Sequence, residues 1–328
     1  MLVVGANGAG KTNLLESLHV GTQGFSPRTR TDAQLIRFGE SSARVALRGS
    51  RAQSELEVQL TLRAGEAKRA RLNGASLRAA EQLRTELATL VFTPDRLAIV
   101  KGGPAVRRAY FDRALGRLAP ARATLSAEYG AAVGQRNAAL RRISAGFSTA
   151  DALAPWTERV AELGSTLVEA RQEAVAQLGP AFAEHAGELG LPDAVLRYEG
   201  EAPTVEALER RYERDVERGW TGIGPHLDDI AVLAGARDLR GFGSQGEQRI
   251  AVLSLLLGEA DLLTERSGVP PLLLLDDVLS ELDPERRRIL AERISRRGQT
   301  LVTSTTAAAL PTEPDQVLEV TPGRAETR

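Results

Sequence analysis

The 328 residues suffice for one large domain or two ordinary ones around a substantial core. Hydrophobic and charged shares of 42% and 26% are those of a soluble globular chain, and a net charge of −1 excludes a generally basic nucleic-acid binder. No apolar run approaches membrane-spanning length, no basic segment precedes an apolar one at the N-terminus, and 0 cysteines exclude disulfides and thiolate metal sites, so a cytoplasmic protein is expected.

Leu2-Val3-Val4 reads as the end of a buried strand, and Asn13 to Leu18 opens a helix. Between them Gly5-Ala6-Asn7-Gly8-Ala9-Gly10-Lys11-Thr12 has the spacing G-x-x-x-x-G-K-T. Glycines at those places let main-chain N–H groups turn around the β- and γ-phosphates of a nucleotide, Lys11 adds a point charge, and the Thr12 hydroxyl can bind Mg²⁺. The strand–loop–helix order aims a helix N-terminus at the anion. Residues 43–63 alternate as strands, Arg69 to Leu72 could add another, and Asn73-Gly74 signals a hairpin turn, so a small antiparallel sheet follows the first helix. Leu87 to Phe92 is a further apolar run, stopped at Thr93-Pro94.

From Arg113 to Gly219 the chain is rich in Ala, Leu, Arg and Glu with helical spacing. Leu163, Leu167, Ala170, Ala174 and Leu178 lie on one face of a helix that Gly179-Pro180 is expected to stop, and Val205, Leu208, Tyr212 and Val216 repeat the pattern. The segment could form a short antiparallel arm. After Trp220 strand and helix alternate again: Ile230 to Leu233, Ser244 to Leu257, Leu272 to Leu275 and Thr300 to Ser304. The expected architecture is α/β, with residues 1–112 and 220–328 as one discontinuous head and 113–219 as a helical lobe inserted in it. Positive charge is almost all arginine, which a GC-rich coding sequence explains, so arginine count is not read as a DNA signal.

Leu272-Leu273-Leu274-Leu275-Asp276-Asp277 is a central parallel strand ending in two carboxylates, at the end of the sheet where α/β proteins hold ligands. Asp276 is placed to hold Mg²⁺ opposite Thr12, and Asp277 to orient an attacking water. Alone, the pair reads equally well as a helix N-cap. The turn Gly243-Ser244-Gln245-Gly246-Glu247 offers a hydroxyl and a helix N-terminus to a γ-phosphate, or is an ordinary capping box. The order of these parts, followed by Ser280-Glu281-Leu282-Asp283, resembles an ABC/SMC-type P-loop ATPase head with a mixed sheet and a mainly helical lobe.

The resemblance becomes specific through Phe92-Thr93-Pro94-Asp95-Arg96-Leu97, Val100-Lys101-Gly102-Gly103-Pro104, Arg107-Arg108-Ala109-Tyr110-Phe111-Asp112, Gln135-Arg136-Asn137 and Gly224-Pro225-His226-Leu227-Asp228-Asp229. Together they make the chain similar, over essentially its full length, to the RecF family of bacterial recombination and gap-repair ATPases. That resemblance implies an ATP-driven homodimer that clamps duplex or gapped DNA without sequence preference, hydrolyses ATP slowly and helps load RecA with RecO and RecR. Two composite sites are then expected. In each, Gly5, Ala6, Asn7, Gly8, Ala9, Gly10, Lys11, Thr12 and Asn13 of one subunit meet Ser244, Gln245, Gly246, Glu247 and Asp283 of the other. Thr12 and Asp276 hold the metal, and Lys11 and Asp277 are catalytic. Candidate DNA contacts are Arg107, Arg108, Arg136, Arg141 and Arg142. Alternatives are an ATP-gated clamp that does not hydrolyse and a transporter ATPase subunit.

Two departures from the family pattern and one from the transporter pattern stand out. Leu227 replaces the usual arginine, so His226 is either part of the site or a loop histidine without a role. No histidine follows Ser304, so any switch role falls to Thr303 or Thr305; RecF-like chains commonly carry threonines there, so this difference separates the chain from transporter ATPases rather than from its family. Two strands usual ahead of the phosphate loop are missing. About thirty further residues upstream of Met1 are therefore expected, with the edge of the sheet left open without them.

Overall fold

The computed structural model describes residues 1–29, 31–51, 54–280, 282–296 and 298–328. Along the first part of the chain run β1 (Leu2–Val4), α1 (Lys11–Gln23), β2 (Ser42–Arg51), β3 (Ser54–Arg63), β4 (Arg69–Leu72), β5 (Ala75–Ser76) and β6 (Thr89–Phe92). Next come α2 (Ala98–Lys101), α3 (Pro104–Leu118), α4 (Leu125–Ser144), α5 (Ala154–Glu188), β7 (Ala194–Glu199), α6 (Val205–Glu209) and α7 (Tyr212–Arg218). β8 (Asp229–Ala234), β9 (Arg237–Asp238), α8 (Leu239–Phe242) and α9 (Gln245–Ser267) follow, and β10 (Leu272–Leu275), α10 (Pro284–Ser295), β11 (Thr300–Ser304), β12 (Val317–Thr321) and β13 (Arg324–Thr327) complete the order.

Two compact units result. One comprises 1–97, 188–190 and 263–328, the other 98–187 and 191–262. The division therefore falls elsewhere than at 112/113 and 219/220: α3, β8, β9 and the Ser244 turn group with the helical lobe. That lobe also carries a three-stranded antiparallel sheet, β7-β8-β9, so its first strand interrupts the stretch read as helical.

In the first unit six strands pair in the order β13-β12-β1-β11-β10-β6, parallel except for β13. The expectation of an open edge at the first strand is corrected. β1 lies inside the sheet, bonded in parallel to β11 on one side and β12 on the other, and Leu2 and Val3 are fully buried. Three apolar residues suffice because neighbours on both sides satisfy their backbone groups, with Leu2 N donating to Gln316 O and Val302 N to Met1 O. Val3, Leu15, Val91, Leu274, Leu301 and Val320 form the core over this sheet.

A second sheet, β2-β3-β4-β5, is antiparallel. Asn73 and Gly74 both take positive φ at its last turn (48° and 82°), as a tight primed hairpin requires. Val58, Leu60, Leu62 and Ala70 of this sheet pack with Val20 of α1.

In the second unit α4 and α5 form an antiparallel pair. Arg136 Nε donates to Thr157 Oγ1, and one turn pair further along Gly164 lies against the Tyr129 ring. α5 does not stop at Gly179-Pro180 but continues through Pro180 to Glu188, 35 residues in all. Proline removes one helical N–H, a cost of about 3 kcal/mol, and tertiary packing outweighs it. Phe182 and Ala186, past the proline, are fully buried, and Gly258 of α9 approaches the backbone of Ala181 and Phe182 so closely that a Cβ there would sit 3.1 Å from Phe182 N. Among the described residues no helix is long and apolar enough to cross a membrane.

Gly5 is fixed by a close approach rather than by its dihedral angles. A Cβ there would lie 2.4 Å from Val320 O. Gly5→Ala must push β12 away from β1 and is expected to destabilise the chain by about 1–3 kcal/mol. Gly49→Ala, where nothing lies within 4 Å of the added carbon, is the control. Urea midpoints of the two variants check this, with a clear downward shift for Gly5→Ala only.

Candidate nucleotide site

β1 delivers the chain into the phosphate loop, and Gly8 and Gly10 hold it in a form that other residues adopt with strain (φ 80° and 107°). Nothing lies within 4 Å of where a Cβ would stand on either glycine, so the loop is an open cradle. Ala9 N donates to Ala6 O within it, and Gly10 caps α1 with no side-chain partner, leaving the first-turn amides free for an anion. Lys11 Nζ folds onto the loop, donating to Gly5 O (2.7 Å) and Ala6 O (3.0 Å).

β10 brings the second half of the site. Thr12 Oγ1 donates to Asp276 Oδ1 (3.2 Å), and Thr303 Oγ1, from β11, donates to the same oxygen (2.7 Å). Thr303 Oγ1 in turn accepts from Asp277 N (2.8 Å). Asp276 is buried, whereas Asp277 is exposed and takes a positive φ of 50°. A non-glycine residue held there costs of order 1–3 kcal/mol, and the Thr303 bond helps to hold it. Asn7, Gly8, Gly10, Lys11, Thr12, Asn13, Asp276 and Asp277 thus line one cleft of about 250 Å³ with Thr303 and Thr305.

The cleft has a further wall that sequence reading missed, Arg28. It follows a turn after α1 in which Ser26 Oγ accepts from Arg28 N and Thr29 N (3.0 Å each), and its guanidinium lies 3.3 Å from Glu16 Oε2. Nothing in Ser26-Pro27-Arg28 separates this arginine from its many neighbours. Only the fold brings it to the loop.

The donor set suits a nucleotide with its cation. Among the described residues no cluster of three or more acidic or histidine side chains could hold a metal without other donors. A hydroxyl beside a buried carboxylate, facing free amides, supplies two protein ligands and leaves the remainder to phosphate oxygens and water.

Other predicted site residues stand outside this cleft. Asp283 caps α10, its Oδ1 accepting from Arg286 N (2.9 Å) while Oδ2 lies 3.1 Å from Arg286 Nη1. Glu281 lies outside the described residues. In the second unit Ser244 and Glu247 form a reciprocal capping box at the start of α9: Glu247 N donates to Ser244 Oγ (3.2 Å) and Ser244 N to Glu247 Oε2 (2.8 Å). The Ser244 amide, with Arg237 at 2.9 Å, holds the Glu247 carboxyl below the usual carboxylate range. Gln245 and Ser244 are exposed, and a Cβ on Gly246 would meet nothing closer than Ser244 Oγ at 3.9 Å. Packing therefore does not demand a glycine at 246, and its absent side chain leaves the helix N-terminus open.

The structure corrects two of the proposed DNA contacts. Arg107 is buried and forms a forked pair with Asp229 (2.7 and 2.5 Å) while also donating to Val100 O and Gly102 O. Arg136 is fully buried against Asp215 (2.9 Å) and Thr221. A buried guanidinium committed to a carboxylate and to neighbouring carbonyls or hydroxyls has no exposed face to offer phosphate. Arg108 is half-buried on Asp228 O, whereas Arg141 and Arg142 are exposed.

His226 has a structural place. Its Nε2–H donates to Thr221 O (3.0 Å), so Nδ1 accepts from the Tyr129 hydroxyl (2.8 Å). Burial lowers its pKa, and the Thr221 carbonyl opposes that. Leu227, beside it, is exposed.

A central parallel strand feeding a phosphate loop, a buried aspartate on the loop threonine and an inserted lobe carrying a capped Ser-Gln-Gly-Glu turn define a P-loop ATPase head of the ABC/SMC type. Residues 1–328 match the family described as the RecF/RecN/SMC N terminal domain. The chain is 35% identical over 320 residues to the DNA replication and repair protein RecF of Heliobacterium modesticaldum, covering 93% of this chain and 86% of that protein. It is 34% identical to the RecF of Bacillus subtilis, also over 320 residues and with the same coverage. A solved structure described as the recombination mediator protein RecF-ATP in the RecFOR pathway superposes with a TM-score of 0.88 at 27% identity, covering 100% of this chain and 91% of that one. An Smc head bound to the C-winged helix domain of ScpA shares the fold at 16% identity (TM-score 0.58). The chain belongs to the RecF family.

Proposed function

We propose that this chain is an ATP-dependent DNA-binding protein of recombinational gap repair and replication-fork recovery, in which ATP joins two copies into a clamp. The observation that carries the reading is the Thr12–Asp276–Thr303–Asp277 chain of hydrogen bonds across the mouth of an open phosphate cradle. The chemistry suits the nucleotide named in the related RecF-ATP structure.

In this reading the amides of Gly8 to Thr12 and the Lys11 ammonium bind the β- and γ-phosphates, and Lys11 exchanges its two loop carbonyls for phosphate oxygens. Mg²⁺, held by the Thr12 hydroxyl and the Asp276 carboxylate, would neutralise phosphate charge. Asp277, exposed at the end of β10, accepts a hydrogen bond from the attacking water and orients it. Ser244, with the open N-terminus at Gly246, closes on the γ-phosphate held by the other subunit. ATP then favours the dimer because only the dimer offers both sets of contacts, and loss of the γ-phosphate removes one set. DNA contacts run through backbone phosphates, so affinity falls with salt and is indifferent to sequence. RecO, RecR and RecA are the partners this reading implies.

Phosphate release by the full chain, followed with and without duplex DNA, tests it. DNA is expected to accelerate release, and Asp277→Asn to lower it by about 100-fold or more while ATP still supports DNA binding. Unchanged release in Asp277→Asn would remove that residue from the mechanism. Binding of duplex DNA that is equal with and without ATP would overturn the clamp.

A further inference from the structure

β11 is apolar through Leu301 and Val302 and then carries a hydroxyl into the core, Thr303, which is only 1% exposed. The strand lies between β1 and β10. Val3 pairs with Thr303 on one side and Leu275 with Val302 on the other, so Thr303 stands level with the tip of β10. Valine has the same branched shape and the same preference for strands. A buried hydroxyl is unfavourable at such a place unless its hydrogen bonds repay the lost water. Packing alone therefore calls for valine, and the threonine is explained by what its oxygen touches.

Both bonds of that oxygen go to the end of β10. Thr303 Oγ1 donates to Asp276 Oδ1 (2.7 Å) and accepts from Asp277 N (2.8 Å). The directions are fixed, because an ionised carboxylate only accepts and an amide N–H only donates. On its other side Asp277 is tied by Ser280, whose Oγ donates to Asp277 O (3.1 Å). The backbone of this residue is thus held before and after its left-handed turn (φ 50°), while among the described residues no hydrogen bond reaches its carboxylate. That carboxylate lines the phosphate cleft. Thr305 lines the cleft as well, but among the described residues it bonds to neither aspartate.

A single methylene joins an aspartate carboxyl to its backbone, so its reach is set by where the backbone turns. The left-handed conformation sends the Cα–Cβ bond in a direction that a relaxed, negative φ does not offer. Misplacing a reacting group by an ångström can cost about 100-fold in rate. We propose that Thr303 is the positioning residue of the hydrolytic step: anchored on the buried Asp276, its hydroxyl fixes the left-handed turn at Asp277 and so places the carboxylate that orients the attacking water. This deepens the hydrolysis reading above and rests on it. Thr303 acts through Asp277 and needs no contact with nucleotide or water. The competing role is to satisfy the buried Asp276 alone, and it is one outcome of the test.

The full chain and its Thr303→Val, Thr303→Ser, Asp277→Asn and Thr303→Val/Asp277→Asn variants are compared by phosphate release against ATP concentration with Mg²⁺. Equilibrium binding of a fluorescent ATP analogue is measured alongside. Thr303→Val is expected to lower the maximal rate by about 10- to 100-fold, with the half-saturating ATP concentration and analogue binding unchanged. Thr303→Ser keeps both hydrogen bonds and is expected to restore most of the rate. In the Asp277→Asn background Thr303→Val is expected to add no further loss, because the group it positions is already gone. Urea midpoints check that each variant folds, and Thr303→Ala takes the place of the valine variant if that one does not. A Thr303→Val protein as fast as the parent overturns the proposal. So does an equal further loss in the Asp277→Asn background, or weakened analogue binding at an unchanged maximal rate, either of which places Thr303 in service of Asp276 alone. If Asp277→Asn slows release and Thr303→Val does not, the positioning role falls and the hydrolysis reading stands. If Asp277→Asn is as fast as the parent, both fall.

Discussion

Lys11→Met is expected to abolish ATP-dependent assembly and to lower phosphate release by about 100-fold or more, while the unfolding midpoint stays within a degree or two of the parent. The reason is local. Lys11 Nζ donates to Gly5 O and Ala6 O, carbonyls of its own loop. Methionine preserves the side-chain length and gives up only those bonds and the charge. No core contact is lost, but the phosphates lose the one ammonium the cradle can present. Light scattering behind a sizing column, with ATP and Mg²⁺, reads the assembly directly. A Lys11→Met protein that dimerises with ATP as well as the parent would contradict the composite-site reading as a whole. Removing Mg²⁺ with a chelator is expected to act in the same direction through Thr12 and Asp276.

The largest effect on stability is expected at Arg136. Its guanidinium and the Asp215 carboxylate are both fully buried, 2.9 Å apart, and Thr157 Oγ1, Thr221 Oγ1 and Leu208 O accept its other bonds. Arg136→Met takes from the buried aspartate its close charge partner and leaves it Gly222 N (3.2 Å) and the more distant Arg211 (3.8 Å), a loss of about 3–5 kcal/mol. Since whole domains are stable by about 5–15 kcal/mol, this variant should unfold at a much lower urea concentration or fail to accumulate. Asp215→Leu alone strands the arginine in the same way. Arg136→Met together with Asp215→Leu removes both charges and is expected to recover a large part of the loss, so that equilibrium unfolding of the two singles and the double yields a coupling energy. Additive singles would show that the pair contributes nothing as a pair.

Arg136 also illustrates where reading the sequence stops. As one arginine in Gln135-Arg136-Asn137 it is indistinguishable from a phosphate contact, and so is Arg107 in Arg107-Arg108. Whether an arginine faces water or sits in an ion pair depends on which helix lies opposite. Asp215 is 79 residues away and Asp229 is 122 away from their partners, and no local spacing encodes that. Pro180 fails as a stop signal for the same reason. Its local cost is outweighed by packing of Phe182 and Gly258, which belong to different helices. Arg28 reaches the phosphate cleft only because a polar turn folds back after α1.

What the sequence determined by itself is the chemistry carried by fixed short spacing. The run Gly5 to Thr12 dictates a phosphate cradle, because glycine conformations and first-turn amides are local properties. Four leucines ending in Asp276-Asp277 dictate a buried strand with carboxylates at its tip, and the capping box at Ser244 and Glu247 is complete within four residues. The family resemblance followed from several such segments taken together. The tertiary structure alone decided that the three-residue first strand sits inside the sheet, that Thr303 joins Asp276 to Asp277, and which arginines are spent inside the lobe. These are long-range pairings, set by how whole elements bury their apolar faces, and burial is a property of the packed chain rather than of any segment within it.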